Sequence, residues 1–463
     1  SFLSKSQKSG EDFLLGDRKV PFLLMFGTTI ATMVGTGSSM GAIGKGYADG
    51  WAGSLYGIGG AAGILLLAVL FGEVRKYNFM TFSEEVSFYY GANKRLKALV
   101  AVLIFLAEIG WLGAHILGGG LYLSWIADID LLTAKVIVAL AFSIYVIIGG
   151  YMAVVWTDTI QAIVLFFGFI LLVAISLAKV GGISGLNAAH PTDPFTFLNG
   201  ENIIPSLSLA IVIFVGVLAT PGYRQRIYSS KDIATVKKSF YSSGTLYLLF
   251  SFIPALIGMS AYQLNPELSN SNYAFPFMAT EILPASIGMI VLIAGLSATM
   301  SSASSDAIAA ISIFLRDLYL LITGKMPPKE KALKYSRIGL IFINGIALLF
   351  SLYATDIINY IQFMISIIMS GLFVCTLMGK FWKRANWQGG IAALAGGAIA
   401  SVAIIQVESW NQYWGNPVIP AMVLATILGI IFSLMFPRNT VKPEDALKAL
   451  ADERQEMEMS VEE

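Results

Sequence analysis

Cysteine is almost absent from the 463 residues: Cys375 stands alone, so no intrachain disulfide and no thiolate metal cluster can form. Histidine is equally scarce, with two residues. Charge is thin, at 13% Asp, Glu, Lys and Arg against about 25% in soluble chains. Neither sign dominates, since 30 basic residues face 29 acidic ones. That balance excludes a basic nucleic-acid binder or an acidic disordered tail as the main activity. Secreted disulfide-rich, collagenous and coiled-coil classes are excluded as well. Residues 1–19 are polar and basic and lack the apolar core of a signal peptide.

What the chain has in abundance is apolar residues, 56% of the total, with a mean hydropathy of +0.73. A globule of this composition could not cover itself with polar surface, which points to an integral membrane protein. A spanning helix needs about 20 mostly apolar residues, because lipid offers no partner to open backbone groups. Twelve such runs are read, over 20–46, 51–74, 98–126, 133–150, 153–179, 204–223, 239–262, 284–322, 336–354, 355–380, 388–407 and 418–436. The eighth is too long for one crossing and is expected to continue as a helix in water. With the N-terminus cytoplasmic, 27 of the 30 basic residues fall on the cytoplasmic side, leaving Lys45, Lys135 and Lys179 opposite. Both termini are therefore expected in the cytoplasm. The charged end, 438–463, reads as a solvated helical tail.

The informative spans are the interrupted ones. The first carries TTIATMVGTGSSMGAIG at 28–44, with Gly35, Gly37 and Gly41 clustered at its middle. Each glycine costs a helix about 1 kcal/mol relative to alanine, so opened backbone and exposed carbonyls are expected here. The sixth carries TPG at 220–222, where Pro221 removes a donor and clashes with the preceding turn. Breaks five spans apart are the signature of an inverted five-plus-five repeat, whose transport site lies between two broken helices. Small residues that merely permit close helix packing are the alternative reading.

The eighth span adds ATMSSASSD at 298–306, where Ala298, Ser301, Ser302 and Ser305 share one helical face. Hydroxyls on that stripe, facing the opened first span, make a neutral oxygen cage suited to a monovalent hard cation; Ca²⁺ would want several carboxylates. Ionisable groups inside spans are costly unless paired or functional, which singles out Glu108, His115, Asp158 and Asp306. Glu108 also reads as a buried hydrogen-bonded carboxyl, and His115 as a packed, satisfied histidine. No arginine is read inside a span.

These residues resemble the sodium:solute symporters, over about 11–437. The markers are GGYMAVVWTDTIQ (149–161), QRIYSSKD (225–232), MSSASS (300–305) followed by RDLY (316–319), and YIQ (360–362) leading to GKFWKRANWQGG (379–390). The resemblance implies an all-α polytopic membrane protein of leucine-transporter-like fold. Its inverted five-plus-five repeat would occupy 20–179 and 204–380, with two further spans over 388–437. Carried onto this chain, the family's common sodium site uses Ala31, Val34, Ala298, Ser301 and Ser302. Its second site would use Asp158, Ser301, Ser304 and Ser305, so one or two Na⁺ are allowed. Gln362 matches a substrate-contacting position of the sugar carriers. Residues 1–19 look like the cytoplasmic linker after a further family helix, so the chain is expected to be N-terminally incomplete.

ATMVGTG (31–37) and EIGW (108–111) are most similar to the choline-carrier branch, which encloses a quaternary ammonium in aromatic rings. Trp111 is retained, whereas the matching positions on other spans are Met33, Gly59 and Thr220. The expected substrate pocket holds Gly35, Thr36, Ser38, Glu108, Trp111, Thr220 and Gln362, with an amine or amino acid favoured by Glu108. The function so read is sodium-coupled uptake of a small organic solute across the plasma membrane (the inner membrane if bacterial), by alternating access and without enzymatic activity. A proton-coupled carrier titrating Glu108 or Asp306 is the alternative, and a transporter-like sensor is an alternative of another class.

Overall fold

The computed structural model describes residues 15–148, 151–189, 203–324 and 329–459. Residues 1–14 of the expected linker, His190 and the last residues of the tail lie outside them. Each of the twelve apolar runs is mainly helical over its described residues. Among the described residues, eight helical segments are long and apolar enough to cross a bilayer, and a bent pair makes a ninth.

The first run forms α1 (Phe22–Met33) and, after a break and a wide turn over Gly37–Gly41, α2 (Ala42–Asp49). The second is α3 (Leu55–Phe71), followed by the short surface helix α4 (Phe82–Tyr89). The third to fifth are α5 (Lys94–Ala127), α6 (Leu131–Ile148) and α7 (Tyr151–Lys179). The sixth is split into α8 (Ile203–Ala219) and α9 (Pro221–Ser229), bent by 42° at Thr220. The seventh is α10 (Ile233–Phe250) with α11 (Phe252–Leu264), and the eighth is α12 (Ala285–Ile313). Then come α13 (Lys329–Ser351), α14 (Ile357–Met364) with α15 (Ser370–Phe381), α16 (Trp387–Gln406), α17 (Val418–Met435) and a tail helix α18 (Pro443–Met459).

Local chemistry sets several of these starts. Asn93, Asp232, Asp356 and Asn386 each accept a backbone N–H three residues on, the N-cap bond that satisfies an orphan donor. In the core, α12 packs on α7 and α5, and α1 packs on α7 and α10. The broken first span is thereby held against the serine stripe.

On the side of the bundle that bears the N-terminus, a strap before α1 pairs with the end of α9. Val20 donates to Ser229 O at 3.3 Å, and Lys231 donates to Val20 O at 3.1 Å. Three basic residues counted as facing water are buried instead. Arg224 and Arg226 lie inside α9, and Lys135 inside α6 donates to Ser351, Leu352 and Ala354 carbonyls at 2.6, 3.1 and 2.7 Å. Apolar helices close over them, which a span-by-span count does not register.

The tail is not free in solvent. Ala446 and Leu450 of α18 are buried, and Arg454 grips Glu84 of α4 at 2.7 and 3.2 Å while Glu453 meets Lys97 at 3.0 Å. Burial alone would raise the Glu84 carboxyl, but the charges of Arg454 and Lys97 outweigh it and hold Glu84 below its usual value. A depressed carboxyl stabilises the fold above its unfolded value of about 4.3, and this anchor is lost only as pH falls through the lower folded value. Glu84→Gln should therefore speed hydrogen exchange over 443–459 at neutral pH; exchange equal to the parent protein's would contradict the anchor.

Candidate functional site

The first span opens where its glycines cluster. α1 ends at Val34, whose φ of −90° and ψ of 59° leave the helical region. Ser38 and Ser39 hydroxyls collect carbonyls freed there, Met33 O at 2.7 Å and Gly35 O at 2.6 Å. A methyl at Gly35 would run into Ser302 Oγ, which would have to turn away from Thr32 O, and would stand 3.3 Å from His115 Cε1.

Across from this break lies the serine face of α12. Ser301 Oγ donates to Ala31 O at 3.1 Å and to Ala298 O at 3.2 Å, and Ser302 Oγ donates to Thr32 O at 3.2 Å. Ala31, Ala298, Ser301 and Ser302 are thus brought together, with Val34 buried at the break. Among the described residues no three His, Cys, Asp or Glu side chains gather as metal ligands, so the cage is one of neutral oxygens. Such a set suits an alkali ion.

The other expected oxygen set carries an unforeseen group. Asp158 Oδ2 accepts from Thr28 Oγ1 at 2.7 Å and from Ser305 Oγ at 3.0 Å. Beside them lies the Arg226 guanidinium, with Nη2 3.7 Å from Asp158 Oδ2. Nη2 also donates to Thr28 Oγ1 and Ser305 Oγ, both at 2.9 Å, and to Thr32 Oγ1. Ser304 turns back to Ser301 O at 3.0 Å on its own helix. A buried arginine therefore supplies positive charge to the Asp158 set. The reading that no arginine lies inside a span is corrected: QRIY places Arg226 in the second half of the broken sixth span, not in a loop after it.

Glu108 is a helix cap, not a wall of the pocket. Its Oε1 accepts from the Gly222 N–H at 3.0 Å, one of the orphan donors opening α9, where a carboxylate also meets the positive end of the helix.

A cavity of about 500 Å³ of empty space, counting its mouth, lies between α1, α3, α5, α8, α9, α10 and α12. Of the expected substrate residues, Gly35, Thr36, Ser38, Trp111 and Thr220 line it, and Glu108 and Gln362 do not. Gln362 is buried in α14. Trp111 Nε1 donates to Thr220 Oγ1 at 3.2 Å, tying α5 to the break in the sixth span. Three further rings, Tyr56, Tyr223 and Tyr247, join Trp111 in the wall. They sit away from Met33, Gly59 and Thr220, where the family comparison sought them. Gly59 itself faces α8, where an added methyl would strike the Ala210 carbonyl. His115 and Asp306 also line the cavity, joined through Nε2 and Oδ2 at 2.9 Å.

Two broken helices facing a serine-lined helix across a shared cavity define a cation-coupled carrier of the inverted-repeat type. The sequence model of the sodium:solute symporter family matches residues 13–399, and the chain belongs to that family. A sodium/pantothenate symporter of Haemophilus influenzae is 24% identical, aligned over 95% of this chain and 93% of its own. A sodium/glucose cotransporter of Vibrio parahaemolyticus is 26% identical over 86% and 79%. Among solved structures, a Na⁺-coupled sialic acid symporter in a substrate-bound outward-open state superposes with a TM-score of 0.78 at 23% identity, over 94% of both chains. Mhp1, a nucleobase-cation-symport-1 family transporter, gives 0.62 at 14% identity, over 94% of this chain and 98% of its own. The chain is a multi-pass membrane transporter with the leucine-transporter-like fold, sodium is its coupling ion, and a small solute is its cargo.

Proposed function

We propose that the protein takes up a small organic solute by alternating access, one sodium ion per cycle, with both termini in the cytoplasm. The observation that carries this is the meeting of Ser301 and Ser302 with the Ala31 and Thr32 carbonyls, at 3.1 and 3.2 Å, across the break in the first span. A sodium ion held by Ala31, Val34, Ala298, Ser301 and Ser302 ties the first repeat to the second. Sodium can shift the conformational balance only by binding one state better, so it must favour the state open to the outside. The solute then completes the cavity, the outer side closes, and the ion leaves inward. A membrane potential adds about 2.3 kcal/mol per charge per 100 mV to the driving force.

One ion rather than two follows from Arg226, which brings to Asp158 and Ser305 the positive charge a second sodium would supply. Setting aside the buried Arg224, Arg226 and Lys135 leaves the positive-inside bias standing, which supports cytoplasmic termini and, in a bacterium, the inner membrane. The solute class is amine-bearing, unlike the pantothenate and glucose named for the relatives. The cavity wall presents a carboxylate and four aromatic rings and, among the described residues, no lysine or arginine to receive an anion.

Ser302→Ala should raise the sodium concentration for half-maximal uptake about tenfold, the loss of one ion ligand costing about 1.4 kcal/mol. Unchanged sodium dependence would remove the site. Uptake that persists in sodium-free acidic medium would favour proton coupling instead.

A further inference from the structure

Asp306 has no part in the sodium cage, and its environment is that of a ligand in waiting. The side chain is 6% exposed, and what exposure it has is to the cavity. Only one of its oxygens is engaged: Oδ2 faces His115 Nε2 at 2.9 Å, and Oδ1 accepts no hydrogen bond among the described residues. The imidazole is fixed from its other end, where Nδ1 lies 2.7 Å from Thr36 Oγ1, which in turn reaches Thr299 Oγ1 at 3.3 Å. The ring is thus held from both ends, between Asp306 of α12 and Thr36 of the opened first span. A buried carboxylate with a bare oxygen aimed into a cavity calls for a cation.

A further observation selects an organic cation. Trp111, Tyr56, Tyr223 and Tyr247 line the same cavity, and the electron-rich faces of such rings attract ammonium groups.

We infer that Asp306 is the ligand for the positive head of a small organic ammonium ion, and that His115 is a positioning residue that holds the carboxylate toward it. This inference rests on the sodium-symport reading and adds to it the group that selects the substrate. It also gives that group a route to the ion. Thr36 anchors His115 and belongs to the broken first span, and Ser302, which lines the cavity, bonds to Thr32 O beside the sodium cage. The head group and the ion therefore draw on the same opened turn.

The test uses the full chain, purified and reconstituted, with choline and ethanolamine as ammonium probes and myo-inositol and pantothenate as neutral and anionic ones. Thermal stabilisation by an ammonium probe is expected only with sodium present. Asp306→Asn should weaken that binding about a hundredfold, as truncating a buried charge partner does, while Asp306→Glu keeps it within about tenfold of the parent protein. His115→Gln should raise KM for the ammonium probe about tenfold and leave the sodium half-saturation unchanged, which a merely structural loss would not do. The sodium-only stabilisation of each variant reports that it has folded. Sodium-dependent binding of myo-inositol or pantothenate with no response to either amine would overturn the inference and leave the symport reading standing. So would Asp306→Asn binding the amines as the parent protein does. Loss of sodium dependence for every probe would instead strike the symport reading itself.

Discussion

Arg226→Leu is expected to lower stability in sodium-free buffer by about 3–5 kcal/mol, the cost of leaving a buried charge without its partner. The stranded group is Asp158, fully buried, with Thr28 and Ser305 at hydrogen-bond distance and no other cation beside it among the described residues. Those oxygens are also what an alkali ion needs. Sodium should therefore restore most of the lost stability, and the variant's melting temperature should rise with sodium as two binding events where the parent protein shows one. A variant that titrates like the parent would mean that Arg226 does not stand in for a second ion.

Glu85→Ala should have a comparable effect on the side of the bundle that bears the termini. Glu85 takes Arg224 Nη1 at 3.0 Å and the Tyr228 hydroxyl at 2.5 Å. The Arg224 guanidinium lies 3.6 Å from the ring centre of Phe71 and 4.8 Å from that of Phe82, and its other arm reaches Leu218 O at 3.2 Å. Nothing else anionic touches Arg224 among the described residues, so removing Glu85 strands a buried cation at a cost of about 3–5 kcal/mol. Because α9 is the half of the broken sixth span that pairs with the strap before α1, the loss should loosen this side. Hydrogen exchange over residues 221–229 should accelerate and concentrative uptake should fall. Unchanged exchange would show that the Glu85–Arg224 pair does not hold α9 in place.

The architecture was legible because membrane helices announce themselves by composition: over the described residues each of the twelve apolar runs is mainly helical, and the glycine cluster and TPG mark the two breaks. The serine face of α12 was equally legible, since helical periodicity alone aligns Ala298, Ser301 and Ser302. What escaped the sequence is pairing across the fold. Arg224 and Arg226 follow an apolar run and so read as loop cations; their partners Glu85 and Asp158 lie far away in the chain. Lys135, near the start of the fourth run, was counted as facing water because its acceptors, the Ser351, Leu352 and Ala354 carbonyls at and after the end of α13, are distant in sequence. The aromatic wall was sought at Met33, Gly59 and Thr220, but Tyr56 and Tyr223 stand three residues from the last two, about one helical turn away. The tail read as solvated because its charges dominate; its two buried apolar residues, Ala446 and Leu450, and the Arg454–Glu84 grip became visible only with the fold.

The most direct test is calorimetric titration of the purified protein with sodium, without solute, alongside Ser301→Ala and Ser302→Ala. One ion per chain, bound at least about tenfold more weakly by each variant, is the expected result. Two ions per chain, or an affinity that neither substitution changes, would contradict the assignment of a single coupling ion to the oxygens joining α1 and α12.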